Sequence, residues 1–272
     1  MNEIRLLRQE DIPGAMHLSR AAGWNQTEAD WARILRLEPE GCFAIEQDGQ
    51  VACTATAIAF GAELGWIGMV LTDPAHRGKG LATRLMVRAI EWLEERRVQW
   101  IKLDATDMGR PIYLKLGFED EAIVERWARA PGLAPRTGAG PLRVDWDLDR
   151  EAFGADRSRL LEDLARTGVA AANGSGYAFG RPGDKAAYFG PCVCRNAEGA
   201  RNLLQWFLGE HADQTVFWDI LTDNREAIDL ALEFGFERRR RLTRQVRPGV
   251  PAPAPFRRRD EYVYAIAGFE YG

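Results

Sequence analysis

Two short segments recur in the same order along the chain, and that repetition constrains the fold more than any other feature. Trp66-Ile67-Gly68-Met69-Val70 finds an echo in Tyr188-Phe189-Gly190-Pro191-Cys192, and Leu116-Gly117-Phe118 in Phe234-Gly235-Phe236. The stretch from Gly68 to Gly117 is only a few residues longer than that from Gly190 to Gly235, and the predicted elements between them agree: a helix, a strand and a second helix. At about 100–200 residues per domain, a chain of 272 residues holds one large domain or two modest ones; the echo selects two. The segment rich in Pro and Gly from Pro131 to Pro141 reads as the connection. The expected organisation is therefore two tandem α/β domains, residues 1–130 and 143–272, joined by a linker over 131–142.

In the first half, Ile4 to Arg8 reads as a strand, followed by a helix carrying Ala15, Leu18 and Ala22 on one face. Thr27, with Glu28 and Asp30 behind it, caps a second helix through Leu37. The β-rich runs Cys42 to Glu46 and Val51 to Phe60 flank Asp48-Gly49, a hairpin signal, and Leu64 to Leu71 extends the sheet. Leu81 to Leu93 is amphipathic at helical spacing, Trp100 to Ala105 is the next strand, and Gly117 stops a short helix that begins near Gly109. Beyond the linker the order recurs: strand Tyr188 to Cys194, helix Ala197 to Leu208, strand Val216 to Leu221, helix Asn224 to Phe234.

Lys and Arg number 36 against 40 Asp and Glu, a net charge of −4; no bulk positive charge draws this surface to nucleic acid or an anionic membrane. The four cysteines (Cys42, Cys53, Cys192, Cys194) are too few for a disulfide scaffold and lack zinc spacing, so they read as small core residues and no metal is expected. The N-terminus lacks signal-peptide order, and no apolar run approaches the roughly 20 residues of a membrane helix. A cytoplasmic enzyme, monomer or homodimer, is the expected class.

The chemically informative stretch is Leu71-Thr72-Asp73-Pro74-Ala75-His76-Arg77-Gly78-Lys79-Gly80-Leu81-Ala82-Thr83. A strand runs into a loop with two glycines and a basic residue that opens directly into a helix. Glycines allow close backbone approach, and the first N–H groups of a helix have no partner inside it, so the arrangement is a cradle for a diphosphate. Neither the P-loop spacing nor the third glycine of a dinucleotide fold is present.

Arg77-Gly78-Lys79-Gly80-Leu81-Ala82 resembles the Arg/Gln-x-x-Gly-x-Gly/Ala signature of the GNAT N-acetyltransferases, with Arg77, Gly80 and Ala82 on the defining positions. The flanking order of elements follows the same fold over residues 3 to 128, and the second half follows it more faintly. Trp24-Asn25-Gln26-Thr27, Asp30-Trp31, Trp66 to Val70 and Leu103-Asp104-Ala105-Thr106 further resemble a two-domain bacterial branch of that family, the YitH-like proteins. The resemblance implies two GNAT-like domains, each a mixed, mostly antiparallel sheet flanked by helices. It implies acetyl-CoA as co-substrate, its pyrophosphate on residues 77 to 83 and its pantetheine arm against Met69, Val70 and Leu71 where that strand splays from Trp100 to Ala105. Tyr113, four residues before Gly117, matches the family's general-acid position. Glu63, Asp104 and Glu119 are candidates for the base, and Trp24, Asn25 and Trp31 for walls of the acceptor site, where core packing competes as an explanation. The implied reaction is transfer of an acetyl group to a small-molecule or amino-acid-like primary amine by direct attack on the thioester. The alternatives are an O-acyl or longer-acyl transferase and a non-catalytic acyl-CoA sensor.

The second half lacks these parts. Ala231 stands where Tyr113 stands in the first copy, and no Gly-x-Gly lies between Cys194 and Leu203, so a catalytically silent copy is expected. The run Arg238 to Arg241 with Arg244, Arg247 and Arg257 to Arg259 is the one strongly basic feature. It reads as a solvated sheet edge protected by charge, or as a patch that steers CoA phosphates or an acidic partner, and it is the only feature that speaks for nucleic-acid binding.

Overall fold

The computed structural model describes residues 3–133, 138–250 and 255–272; of the expected linker, residues 134–137 lie outside the described residues. The first half comprises β1 (Ile4–Leu6), α1 (Ile12–Ala21), α2 (Glu28–Leu37), β2 (Cys42–Gln47), β3 (Gln50–Phe60), β4 (Leu64–Thr72), α3 (Leu81–Glu95), β5 (Trp100–Ala105), α4 (Arg110–Lys115) and β6 (Glu119–Arg129). The second comprises α5 (Trp146–Phe153), α6 (Ser158–Thr167), β7 (Val169–Asn173), β8 (Gly176–Arg181), β9 (Ala187–Cys194), α7 (Ala197–Glu210), β10 (Val216–Leu221), α8 (Arg225–Glu233), β11 (Glu237–Pro248) and β12 (Val263–Ala265). From α1 to β6 and from α5 to β11 the order is the same, element for element, as the echoing glycines require.

The strands form one continuous sheet in the order β1-β2-β3-β4-β5-β11-β6-β10-β9-β8-β7, with β12 against β9. The last strands of the two halves are exchanged: β11 pairs with β5, Thr243 opposite Ala105, and β6 pairs with β10, Trp127 opposite Trp218. The linear boundaries therefore divide the repeat but not the sheet. The arginine run falls on the first part of β11, where Arg238, Arg240 and Arg241 pair with β6 alone; only from Thr243 onward does β11 also have β5 on its other side. There a side chain must point to one face or the other, and Arg240, Leu242 and Arg244 turn inward while Arg239 and Arg241 turn out.

Helices α1, α2, α5 and α6 cover one face of the sheet with a core shared by both halves, including Leu18, Trp31, Ile34, Leu161 and Leu164. On the other face α3 buries Leu85, Met86, Ala89 and Leu93 against the first-half strands, and α7 buries Leu203, Leu204 and Phe207 against the second-half strands. Helix α2 begins as its sequence requires: Thr27 caps it, and the Asp30 carboxylate accepts from the Thr27 N–H at 2.8 Å. All four cysteines are buried and unpaired.

Candidate active site

The site grows from an irregularity in β4. Thr54 on β3 pairs with Leu71, and Thr56 with Gly68, so Met69 and Val70 together oppose the single residue Ala55. Met69 adopts φ +50°, a left-handed conformation unusual for a residue with a side chain, and the buried Thr54 hydroxyl holds its carbonyl by donating to it at 2.8 Å. Alongside, β4 pairs with β5 only from Leu64 to Trp66, opposite Trp100 to Lys102. Past that point the strands part, leaving Ile67 to Val70 on one side and Leu103 and Asp104 on the other lining an open cleft.

At the end of β4 the chain enters the glycine loop. Gly78 and Gly80 both have φ +74°, with nothing within 4 Å of the position a side chain would take. Gly80 is the N-cap of α3 and contributes no side-chain cap, so the backbone N–H groups at the start of that helix face outward between Lys79 and Thr83. In the second half the same position is filled: the Asn196 side-chain oxygen accepts from the Gly199 N–H at 2.9 Å and caps α7.

The second-half cleft is filled too. Strands β9 and β10 pair in parallel from Ala187 to Phe189, opposite Val216 to Trp218. Past that point β12 enters, with Val263 opposite Val193, the Trp218 indole donating to the Tyr264 carbonyl at 2.8 Å, and the Ile266 N–H donating to the Asp219 carbonyl at 3.1 Å. The C-terminal segment then crosses to the first half. A Cβ on Gly190 would meet the Ile266 carbonyl at 2.3 Å, and one on Gly68 would meet the Glu270 Cα at 3.0 Å. The two echoing glycines thus admit one segment that plugs one cleft and walls the other.

Tyr113 on α4 lines the open cleft, its ring packed over Gly109, where a Cβ would lie 2.8 Å from it. Burial pushes its phenol well above the ordinary value. Asp104 also lines the cleft, but both its oxygens accept from Arg244, at 2.8 and 2.9 Å. Glu63 sits exposed in the turn before β4, at the far end of that strand, and Glu119 is exposed at the start of β6; neither reaches the cleft. Of the expected acceptor walls only Trp24 lines it. Trp31 is wholly buried, its indole donating to the Ser19 hydroxyl at 3.1 Å. Asn25 is spent on the second half: its amide donates to the Ala186 carbonyl at 3.0 Å and accepts from the N–H groups of Lys185 and Ala186.

Three further charged side chains line the cleft; Glu270 and Arg126 carry no local sequence signal, whereas Arg240 belongs to the basic run. Glu270, on the C-terminal segment, accepts from Arg181 and from the Gln26 amide, each at 2.8 Å. Its carboxyl is held above the ordinary range by burial, with Arg181 pulling it back and Asp30 adding to the rise. Arg181 in turn pairs with Asp30, and Asp30 with Arg33, in a chain of buried ions that ends at Asp163. Arg126 on β6 is clamped by Asp219 at 2.8 and 2.6 Å. Arg240 on β11 lines the cleft without such a partner. Among the described residues no cluster of three or more His, Cys, Asp or Glu side chains suits a metal ion, and no helix is long and apolar enough to cross a membrane.

An open strand splay beside an uncapped helix N-terminus defines a class. Residues 6–118 match the family model described as Acetyltransferase (GNAT) family, and residues 146–265 the model described as Acetyltransferase (GNAT) domain. The chain belongs to the GNAT acetyltransferases, enzymes that use acetyl-CoA as co-substrate, and carries two domains of that family. YitH of Bacillus subtilis, an uncharacterized N-acetyltransferase, is 25% identical over 262 residues, spanning 88% of this chain and 89% of YitH. A crystal structure from Pyrococcus horikoshii superposes with a TM-score of 0.85 at 20% identity, covering 99% of this chain and 95% of that one. A tandem GNAT protein from the clavulanic acid biosynthesis pathway superposes with a TM-score of 0.63 at 14% identity, covering 93% and 100%.

Proposed function

We propose that the first-half cleft transfers the acetyl group of acetyl-CoA to the primary amine of a small-molecule acceptor, and that the second half binds no acyl-CoA of its own. The observation that carries this reading is the asymmetry between the two strand openings: β4 and β5 part over a cleft open to solvent, whereas the gap between β9 and β10 is filled by β12. The uncapped N–H groups at residues 78 to 83 suit the diphosphate, with Arg77 and Lys79 supplying positive charge beside them. On the side facing β5, where β4 has no partner beyond Trp66, Met69 to Leu71 offer a strand edge to the pantetheine amides. When bound, acetyl-CoA supplies a thioester as the acyl donor. The bulge at Met69 turns β4 backbone groups out of the ladder, where they would be free to stabilise charge developing on a bound thioester's oxygen.

The amine nitrogen forms the new bond to the carbonyl carbon, the carbon–sulfur bond breaks, and the electron pair leaves on sulfur. Glu270 takes the proton released by the nitrogen; its raised carboxyl makes it a better base than a free glutamate. Tyr113 donates a hydrogen bond to the departing sulfur. A thiol ionises near 8.5 and a phenol near 10, and burial widens that gap here, so the value of Tyr113 lies in stabilising developing charge rather than in acid strength. Thiol release from acetyl-CoA, followed with a panel of amino acids, polyamines and aminoglycosides, tests the reading: amine-dependent release supports it. Binding of acetyl-CoA without release for any acceptor contradicts it and favours an acyl-CoA sensor.

A further inference from the structure

Charge in the cleft is balanced at every position but one. Asp104 is matched by Arg244, Glu270 by Arg181 and Arg126 by Asp219. Arg240 makes no ion pair among the described residues, although it is half-buried and lines the same wall. Asp219, already clamped to Arg126, and the exposed Asp107 oppose its charge only at longer range. A partly desolvated guanidinium without a carboxylate is costly unless a ligand supplies one. A second unmatched group lies in the same cleft: the Gln26 side-chain oxygen is buried without a hydrogen-bond partner, because its amide nitrogen is committed to Glu270. One orphan acceptor and one orphan cation, with the aromatic rings of Trp24 and Phe269 also lining the cleft, describe a ligand with an N–H group at one end and an anion at the other.

We propose that the acceptor is an amino carboxylate: its amine donates to Gln26 and faces Glu270, and its carboxylate pairs with Arg240. The single uncompensated positive charge matches a monoanionic carboxylate better than a doubly charged phosphate ester. The same unmatched charge repels polyamines and aminoglycosides, which would bring further cations to it. The donor does not satisfy Arg240, since the phosphates of acetyl-CoA belong at the start of α3 and the pantetheine arm is uncharged. This inference rests on the acetyltransferase reading and narrows its substrate class.

The test compares each of several amino acids with its amide, its decarboxylated amine and, as a phosphate counterpart, phosphoethanolamine. The readouts are thiol release and binding by calorimetry, for the wild type and Arg240→Gln. A charge-assisted contact of this kind gives roughly 10- to 100-fold in kcat/KM. Wild type is expected to favour the carboxylates by that factor over the amides, amines and phosphoethanolamine. Arg240→Gln should erase the preference by lowering kcat/KM for the acids toward that for the amides. Equal turnover of acids and amides by wild type overturns the inference and leaves the acetyltransferase reading standing, and so does a loss in Arg240→Gln that is the same for both. Preference for phosphoethanolamine also overturns it. Should no amine release thiol, the acetyltransferase reading fails, and binding alone decides the class: carboxylate affinity lost in Arg240→Gln supports it, and no affinity in wild type overturns it.

Discussion

Asp30 lies outside the cleft, yet it holds the group proposed to take the proton. One of its oxygens accepts from Arg33 at 2.6 Å and Arg181 at 3.2 Å, and the other from the N–H and hydroxyl of Thr27 at 2.8 and 2.9 Å. Asp30→Asn keeps the shape but removes the charge between two buried guanidiniums, and its amide nitrogen must face either the arginines or the Thr27 donors. Removing one partner of a buried ion pair costs about 3–5 kcal/mol. At about 2–4 °C per kcal/mol for a protein of this size, Tm should fall by about 6–20 °C, read by circular dichroism. The variant also shifts the chemistry. Asp30 raises the Glu270 carboxyl, so removing that negative charge makes Glu270 easier to ionise, and the acid limb of kcat/KM moves to lower pH. A Tm within 2 °C of wild type, or an acid limb that stays in place or moves up, would refute the buried chain of charges as the support of Glu270.

Three further outcomes follow from the cleft. Tyr113→Phe, isosteric at a buried position, should lower kcat by at least about tenfold and leave acetyl-CoA affinity unchanged in calorimetry; unaltered kcat at saturation removes the phenol from the reaction. Glu270→Gln should abolish the acid limb of the pH–rate profile, which in wild type lies above the roughly 4.3 of a free glutamate; a limb that persists in the variant assigns the base elsewhere. Gly80→Val forces a β-branched residue to φ +74° at an exposed position and should weaken acetyl-CoA at least about tenfold while shifting Tm by only a few degrees, about 1–2 kcal/mol of strain. Unchanged affinity would exclude the loop as the diphosphate cradle.

The parts of the site that the sequence made legible are those whose signal is local. The glycine loop, the N-terminus of α3, the β4 strand and the α4 position of Tyr113 each depend on spacing within a few residues, and each lies on the element expected. The carboxylates depend on what distant segments bring together. Glu63 and Asp104 both mark strand ends, but Glu63 lies at the wrong end of β4 and Asp104 is claimed by Arg244 from β11. Glu270 enters from the C-terminal segment, far in sequence from the glycine loop and Tyr113, and nothing near it in sequence separates it from a surface glutamate. Trp24 lies in the loop before α2 and Trp31 within that helix, and a tryptophan that fills a core cannot be told in sequence from one that walls a cleft. The exchange of β6 and β11 is invisible for a related reason: the two strands are copies, so either satisfies the pattern of either sheet position. That exchange carries Arg240 into the first-half cleft and turns a run that reads as a charged edge into part of a binding wall.

The central claim is that one chain holds one acyl-transfer site, at the open end of β4, and that the homologous opening is closed by the chain itself. A crystal structure with acetyl-CoA bound tests it most directly. The account predicts one molecule per chain, its diphosphate on the backbone of residues 78 to 83 and its thioester beside Met69 and Tyr113, with β12 still seated between β9 and β10. Acetyl-CoA lying against Phe189 to Val193 with β12 displaced, or seated away from β4, would contradict it.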